Sequence, residues 1–373
     1  MTSFQKIPTT AVPKTTQAKI DWLCLTRSRR VGPATFIRLL NEYGDATRAL
    51  AALPEIARNS GAKNYEPYKL ASAKSEFERG LYAGYTPLFL GMRNYPTLLA
   101  EAPDAPPFLW ANGDVDLGQR SNIGLVGARN ASALGQRLTK SIASELGEIG
   151  YVVTSGLARG IDTAAHLAAL GGGTIAVFAG GIDKVYPQEN AKLSVEIGKK
   201  GLILSEQPLG LVPQARHFPQ RNRIIAGLVQ ALCVIEGATR SGSLITARAA
   251  ADIGRDVMAV PGNPMDPRAA GCNMLIKEGA TLVRNAGDIH EAVETPKPNP
   301  KPKQPDQPKL PLERHAQAVD RKILSILSTS AISEDILIRD TGLSAEIVSR
   351  ELAMMELDGR VIRQAGGMLA LAS

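Results

Sequence analysis

Apolar residues return at helical spacing through the front of the chain, first at Ile20, Leu23 and Cys24, then at Phe36, Leu39 and Leu40, then at Ala46, Leu50 and Leu53. From about residue 86 the pattern changes to short, nearly continuous β-branched runs. Ile123–Val126, Tyr151–Thr154, Thr174–Phe178, Gly201–Leu204, Ala231–Ile235 and Asp256–Val260 predict buried strands. Amphipathic stretches separate them, at Ala133–Ile149, Asp162–Leu170, Asn190–Lys199, Asn222–Leu228 and Ser243–Ile253. This alternation predicts an α/β fold, a doubly wound parallel sheet with helices on both faces. Near the end, helical stretches over Gln317–Leu327, Ser333–Thr341 and Ser344–Leu357 precede a hairpin around Gly366-Gly367. Three helices and a wing are the winged-helix pattern.

Composition divides the chain at the same places. Residues 1–17 are polar and Pro-containing, without the apolar stretch of a signal peptide, and read as a disordered tail. Residues 18–85 form the helical segment and 86–293 the α/β segment. The Pro- and Lys-rich stretch 294–312 cannot form helix or central strand and reads as an extended spacer. Residues 313–373 form the last unit. No run approaches the roughly 18 apolar residues of a membrane helix. Cys24, Cys233 and Cys272 are few and scattered, which argues against a disulfide framework or zinc site and for a reducing, cytoplasmic location.

The net charge is +7, unevenly spread. Residues 1–85 carry a net +6, residues 121–291 a net +3, and the last 61 residues a net −2. A basic front and middle favour an anionic partner. The front also contains Gly32-Pro33 opening an amphipathic helix, with Arg27, Arg29 and Arg30 just upstream. Helix-hairpin-helix modules present backbone N–H groups to phosphate in this way, although such a pair also serves as a plain turn in a helical bundle.

The strand-to-helix turns of the middle segment are rich in Gly, Ser and Arg. They are GLVGARNASALG (124–135), TSGLARGID (154–162), AGGIDKVYPQEN (179–190) and IEGATRSGSLITA (235–247). In a doubly wound sheet these turns line the crevice where ligands bind. Gly127 permits a tight turn, Arg129 offers a planar fork of donors, and Ser132 and Asp162 stand where helix N-caps would. Arg159, Lys184, Tyr186 and the run Ser241, Gly242, Ser243 stand in the other three. Each turn alone reads as packing. Four helix N-termini on one sheet edge make a row of anion sites, suited to successive phosphates of a strand with Tyr186 available for base stacking. The run Arg216–Gly227 adds Arg221, Asn222 and Arg223. The glycine spacing departs from GxGxxG and no GxxxxGK[ST] occurs, so neither a dinucleotide nor a P-loop nucleotide is expected.

The strings VGARNAS, TSGLARGIDTAAH, AGGIDKVYPQEN, SEQPLG, HFPQRNRIIAGL, VIEGATRSGSLITA, AVPGN and GCNMLIKEGA occur in that order. Over roughly residues 86–293 they resemble the DNA-processing protein DprA (Smf) family. The resemblance implies a Rossmann-like domain flanked by a small helical domain (helix-hairpin-helix or sterile-alpha-motif-like) and a winged helix. It further implies binding of single-stranded DNA without a cofactor, homodimer formation, protection of incoming DNA, and loading of the RecA recombinase in natural transformation. The family's DNA pocket, transferred by motif, falls on Gly127, Arg129, Ser155, Gly156, Lys184, Asn190, Arg221 and Asn222, with Tyr186 beside it. The implied dimer interface falls on Met274, Leu275 and Ile276, which also fit a helix facing its own core.

The rival class is a nucleoside-phosphate hydrolase on the same fold. Such an enzyme needs a positioned acid or base. The candidates are Asp162, Asp183, His166 and Glu236. Asp162 reads as a cap, Asp183 as a turn residue and His166 as packed, while Glu236 follows a strand into the crevice. The hydrolase's Gly-Gly-x-Gly-Thr loop is missing. No catalytic residue and no metal ligand set is assigned. The recognition helix of the winged unit, Ser344–Asp358, carries Glu346, Glu351, Glu356 and Asp358 against Arg350 alone. Phosphates flanking a groove would repel it, so a protein partner is expected there.

Overall fold

The structure, a computed structural model, describes residues 7–61, 64–294, 319, 322–327, 331–364 and 368–371. The chain forms two compact units, residues 1–295 and 296–373.

The first unit opens with four helices, α1 (Thr16–Arg27), α2 (Pro33–Tyr43), α3 (Ala46–Asn59) and α4 (Leu70–Tyr82). Their ends are set locally. The Thr15 hydroxyl accepts from the Ala18 N–H and the Asp45 carboxylate from the Arg48 N–H, closing the first turns of α1 and α3. Pro33 occupies the first turn of α2, directly after Gly32. Residues 7–17, expected as part of a disordered tail, instead include a 3-10 turn at Thr9–Ala11 with Ala11 buried, followed by the start of α1. The rest of that tail, residues 1–6, lies outside the described residues.

Next come β1 (Thr86–Phe89), α5 (Thr97–Ala100), β2 (Phe108–Gly113), β3 (Asn122–Gly127), α6 (Ala133–Ile149), β4 (Val152–Ser155), α7 (Ile161–Ala169), β5 (Thr174–Gly181), α8 (Ala191–Lys200) and β6 (Leu202–Gln207). After them lie α9 (His217–Leu228), β7 (Ala231–Ile235), α10 (Gly242–Asp252), β8 (Asp256–Ala259), α11 (Ala270–Lys277), β9 (Thr281–Leu282) and α12 (Ala286–Val293). The nine strands form one sheet in the order β1-β2-β6-β5-β4-β3-β7-β8-β9. The seven from β6 to β9 are parallel, as expected. The pair β1–β2, not anticipated, extends the β6 edge in antiparallel pairing. From β3 the chain winds outward to β6, then returns to β7 on the other side of β3. This reversal between β3 and β7 is the topological switch point, where the crevice of such a sheet opens.

Two hydrophobic clusters pack this unit. The smaller includes Ile142 and Leu146 of α6, Ala165 of α7 and Ile289 of α12. The larger includes Trp22, Phe36 and Phe77 of the front helices together with Phe89, Phe108 and Trp110 of β1 and β2. The Trp22 ring lies 4.8 Å from Phe36 and 6.2 Å from Phe89, and its indole N–H donates to the Pro107 carbonyl at 2.9 Å. Arg27, read from sequence as one of a basic group, is instead an internal anchor. Its guanidinium meets the Glu76 carboxylate at 2.8 Å and donates to the Glu206 carbonyl at 2.7 Å, and Glu76 also accepts from the Trp110 indole at 3.0 Å. The helical front is therefore continuous with the sheet's own core.

In the second unit residues 322–326 are helical, followed by β10 (Ile332–Ser333), α13 (Glu334–Thr341), α14 (Ala345–Leu357), β11 (Val361–Gln364) and β12 (Met368–Leu371). The strands pair antiparallel in the order β10-β12-β11 over a core with Leu337, Val348, Leu352 and Leu369. This is the expected winged helix, and Arg363 of the wing bridges Glu334 and Glu356. The tip of the wing, around Gly366-Gly367, and the spacer beyond Glu294 lie outside the described residues.

Candidate nucleic-acid interface

At the switch point Gly127 ends β3 beside Ile235 of β7. A Cβ on Gly127 would lie 2.0 Å from the Ile235 carbonyl oxygen, so the two turns approach as closely as they do because no side chain stands there. A cleft of about 850 Å³ opens above them. Gly127, Arg129, Tyr186, Arg221, Asn222, Ser241, Gly242 and Ser243 all line it, and a smaller cleft of about 290 Å³ adds Gly156 and Arg159. Ten of the residues singled out from the sequence thus come together, although they span more than a hundred positions.

Arg221 is the buried cation of the site, 6% exposed. One terminal nitrogen donates to the Val177 carbonyl at 3.1 Å, while Nε is buried and has no hydrogen-bond partner. Burial pushes its pKa down to about 10, against the opposing charge of Asp162. Gly156 makes room for it, since a Cβ there would fall 1.5 Å from the guanidinium.

The same cleft holds a stack that sequence reasoning missed. The Arg129 guanidinium sits over the ring of Phe218 at 5.2 Å from its centre, and the same ring meets Tyr186 edge-on at 5.6 Å. Tyr186 is half exposed. Phe218 stands within HFPQRNRIIAG, next to the arginines that drew attention. An aromatic residue two positions after Arg216 was the available signal.

Of the four helix N-termini, that of α6 is capped by side chains, and no side chain caps α7, α8 or α10. At α6, the Ser132 hydroxyl accepts from the Gly135 N–H, and the Glu236 carboxylate accepts from both the N–H and the hydroxyl of Ser132. Glu236 therefore turns onto the helix rather than into the crevice, with left-handed backbone at φ 58°. Asp162 is not the cap of α7, since Gly160 holds that position. Its buried carboxylate accepts instead from the Gly156 and Ala158 N–H groups, each at 3.2 Å, and desolvation raises its pKa. The Asn190 amide at the start of α8 donates to the Leu157 carbonyl and to Thr163, both at 2.9 Å, tying two loops together. At α10 no side chain caps the first turn, and the hydroxyls of Ser241 and Ser243 lie 2.7 Å apart in the cleft wall. Of the four expected anion sites, only the α6 terminus is thus filled by side chains, and among the other three the α10 terminus lines the main cleft. At α6 the reason is that a carboxylate 104 positions away, that of Glu236, reaches the Ser132 N–H.

Several residues read from the sequence have partners within the chain. Ser155 is buried, donating to the Leu125 carbonyl at 2.6 Å. Arg223 grips both oxygens of Glu206 at 2.5 and 2.6 Å and the Asp104 carbonyl, and does not line the cleft. Lys184 shares a loop with Tyr186 but does not line either cleft, its ammonium lying 3.8 Å from Asp183. Arg159 pairs with Glu189 at 2.6 Å on the rim. Leu275 is buried in the chain's own core, with Met274 and Ile276 packed against it, which is the self-packed alternative for that helix.

His166 is fully buried, as expected. Its Nε2 accepts from the Leu157 N–H at 3.3 Å and its Nδ1 lies 2.7 Å from the Thr174 hydroxyl. Desolvation depresses its pKa to about 3. Among the described residues no group of three or more His, Cys, Asp or Glu is placed to hold a metal ion, and no helix is long and apolar enough to cross a membrane.

Three family models match the chain. DNA recombination-mediator protein A matches residues 87–294, the DprA-like N-terminal HHH domain 16–78, and the DprA winged helix domain 298–367. The DNA processing protein DprA of Streptococcus pneumoniae is 42% identical over 258 residues, covering 66% of this chain and 89% of that protein. The X-ray structure of DNA processing protein A from the same species is 36% identical with a TM-score of 0.63, covering 74% of this chain and 98% of the other. DNA processing protein A of Helicobacter pylori, a structure described for its single-stranded DNA binding mode, is 28% identical with a TM-score of 0.52, covering 56% and 95%.

Proposed function

Because this chain belongs to the DNA recombination-mediator protein A family, we propose that it binds single-stranded DNA in the crevice between β3 and β7. The observation that carries the reading is the stack of Tyr186, Phe218 and Arg129 in one cleft with the buried, incompletely satisfied Arg221. An aromatic step beside cations takes any base on its face and the adjoining phosphate at its edge, which suits a strand bound without sequence preference. The N-terminus of α10 supplies further N–H donors along the same wall. The relative from Helicobacter pylori, with its single-stranded DNA binding mode, supports the assignment.

The site acts by binding and not by catalysis. Each acid or base that a hydrolase would use is already engaged: Glu236 caps α6, Asp162 holds two loop amides, Asp183 accepts from the Gly210 N–H, and His166 is a neutral, hydrogen-bonded core residue. Release of base from a nucleoside monophosphate, abolished by Glu236→Ala, would overturn this. Protection of incoming DNA, loading of RecA in natural transformation, homodimer formation and a cytoplasmic location rest on the family resemblance. The winged helix takes a protein partner, since Met354 is exposed on an acidic helix.

The test is a fluorescence-anisotropy titration with oligothymidine. Tight, strongly salt-dependent binding is expected, retained when residues 312–373 are removed, because the first unit is compact without them. Binding that is absent, or lost with the tail, refutes the assignment. Stimulated assembly of RecA on single-stranded DNA by the full chain tests the loading role, and sedimentation tests the dimer.

A further inference from the structure

A third, smaller cleft of about 190 Å³ also has Arg129 in its lining. Its walls are the exposed flank of α6, with Gln136 and Lys140, and the first turns of α7, with Thr163 and the half-exposed Leu167. Arg129 lines all three clefts and so forms the shared partition. That partition is fixed, because the Ile161 N–H donates to the Ala128 carbonyl at 3.2 Å and pins the β3–α6 turn against the start of α7. No acidic side chain lines this third cleft. Lys140 makes no hydrogen bond or ion pair among the described residues, unlike Lys199 and Lys200, which lie near Glu196. No side chain caps α7.

We propose that the strand leaves the main crevice over Arg129 and continues into the α6–α7 cleft, where Lys140 contacts a phosphate and Gln136 the adjoining backbone or base edge. This rests on the single-strand reading of the crevice. The physics is that of a track: a chain of phosphates needs cations at successive positions, and an uncommitted ammonium next to a guanidinium already in the site continues the potential without a break. The exposed Leu167 side chain offers apolar surface to a sugar or base on the same path.

The experiment compares a 5-mer and a 20-mer of oligothymidine on the full chain, its Lys140→Ala variant, and a Lys74→Ala control on α4. Each affinity is measured against salt. A single phosphate contact on a single strand contributes about 0.7 to the slope of log K on log salt. Lys140→Ala should lower the 20-mer slope by about that amount and leave the 5-mer, which the main crevice accommodates, unchanged. Arg129→Ala should weaken both. An unchanged 20-mer slope, an equal loss on both oligonucleotides, or the same loss in the Lys74→Ala control overturns the extended track. If the unmodified chain binds neither oligonucleotide, the crevice assignment itself fails, and the two failures are told apart by that arm.

Discussion

Phe218 contacts both Arg129 and Tyr186: the guanidinium lies 5.2 Å from its ring centre and the phenol ring meets it edge-on at 5.6 Å. The ring aligns the cation for a phosphate and leaves Tyr186 half exposed for a base. Phe218→Ala should therefore weaken single-strand binding by about 1–3 kcal/mol, roughly 5- to 150-fold, with the circular-dichroism spectrum unchanged. Anisotropy titration checks this. An affinity equal to that of the parent chain would remove the stack from the site.

Gly156→Ala places a methyl group where the Arg221 guanidinium now stands. The arginine must move, and the variant should lose about as much affinity as Arg221→Ala, on the order of 1.5–3 kcal/mol for one charge-assisted contact. Lys184→Ala, off the cleft wall, should cost less than either. A larger loss in Lys184→Ala than in either would overturn the assignment of Arg221 as the central cation.

The buried His166 imidazole stays neutral down to about pH 3 in the folded chain and takes up its proton near 6.5 once unfolded. Between those values the unfolded state binds more protons. Its contribution to stability is thus full above about pH 6.5 and is lost as pH falls toward 3. The raised pKa of Asp162 works in the opposite sense through the carboxylate range. Melting temperatures from pH 7.5 to 4.5 should fall less steeply for His166→Gln than for the parent chain. Parallel curves would mean that His166 is not the group responsible.

Removing the Glu76 carboxylate leaves the Arg27 guanidinium, only 8% exposed, without its counter-charge and the Trp110 indole without its acceptor. Glu76→Ala should cost about 3–5 kcal/mol in urea unfolding, and Glu76→Gln less. Because the front helices share the sheet's core, unfolding of the first unit should remain a single transition in both.

Much of the parallel sheet was legible because buried parallel strands read as continuous apolar runs, and α6 ends where Ser132 and Gly150 say it should. The edge strands were not. Thr86–Phe89 contains Pro87, and Phe108–Gly113 follows two prolines, so both runs resemble loops until the neighbouring strand is known. In the site, residue types and order identified the crevice, but not which donors remain open. The partner of Ser132 lies 104 positions away in Glu236, and Arg223 meets a carbonyl 119 positions away in Asp104. No local pattern encodes such pairings. Phe218 was hidden for a related reason, since its role depends on two loops that only the fold brings to it.

The carboxylates of Glu236 and Asp162 resting on backbone N–H groups have a consequence for competition. Each accepts from backbone N–H groups that a small free phosphate would otherwise use. A mononucleotide therefore finds these backbone donors already engaged by the protein's own anions, while a polymer still gains from many weaker contacts spread along the crevice. Such a site is buffered against the free nucleotide pool. Millimolar nucleoside triphosphate added to the titration should displace little of a bound 20-mer beyond its effect as a salt.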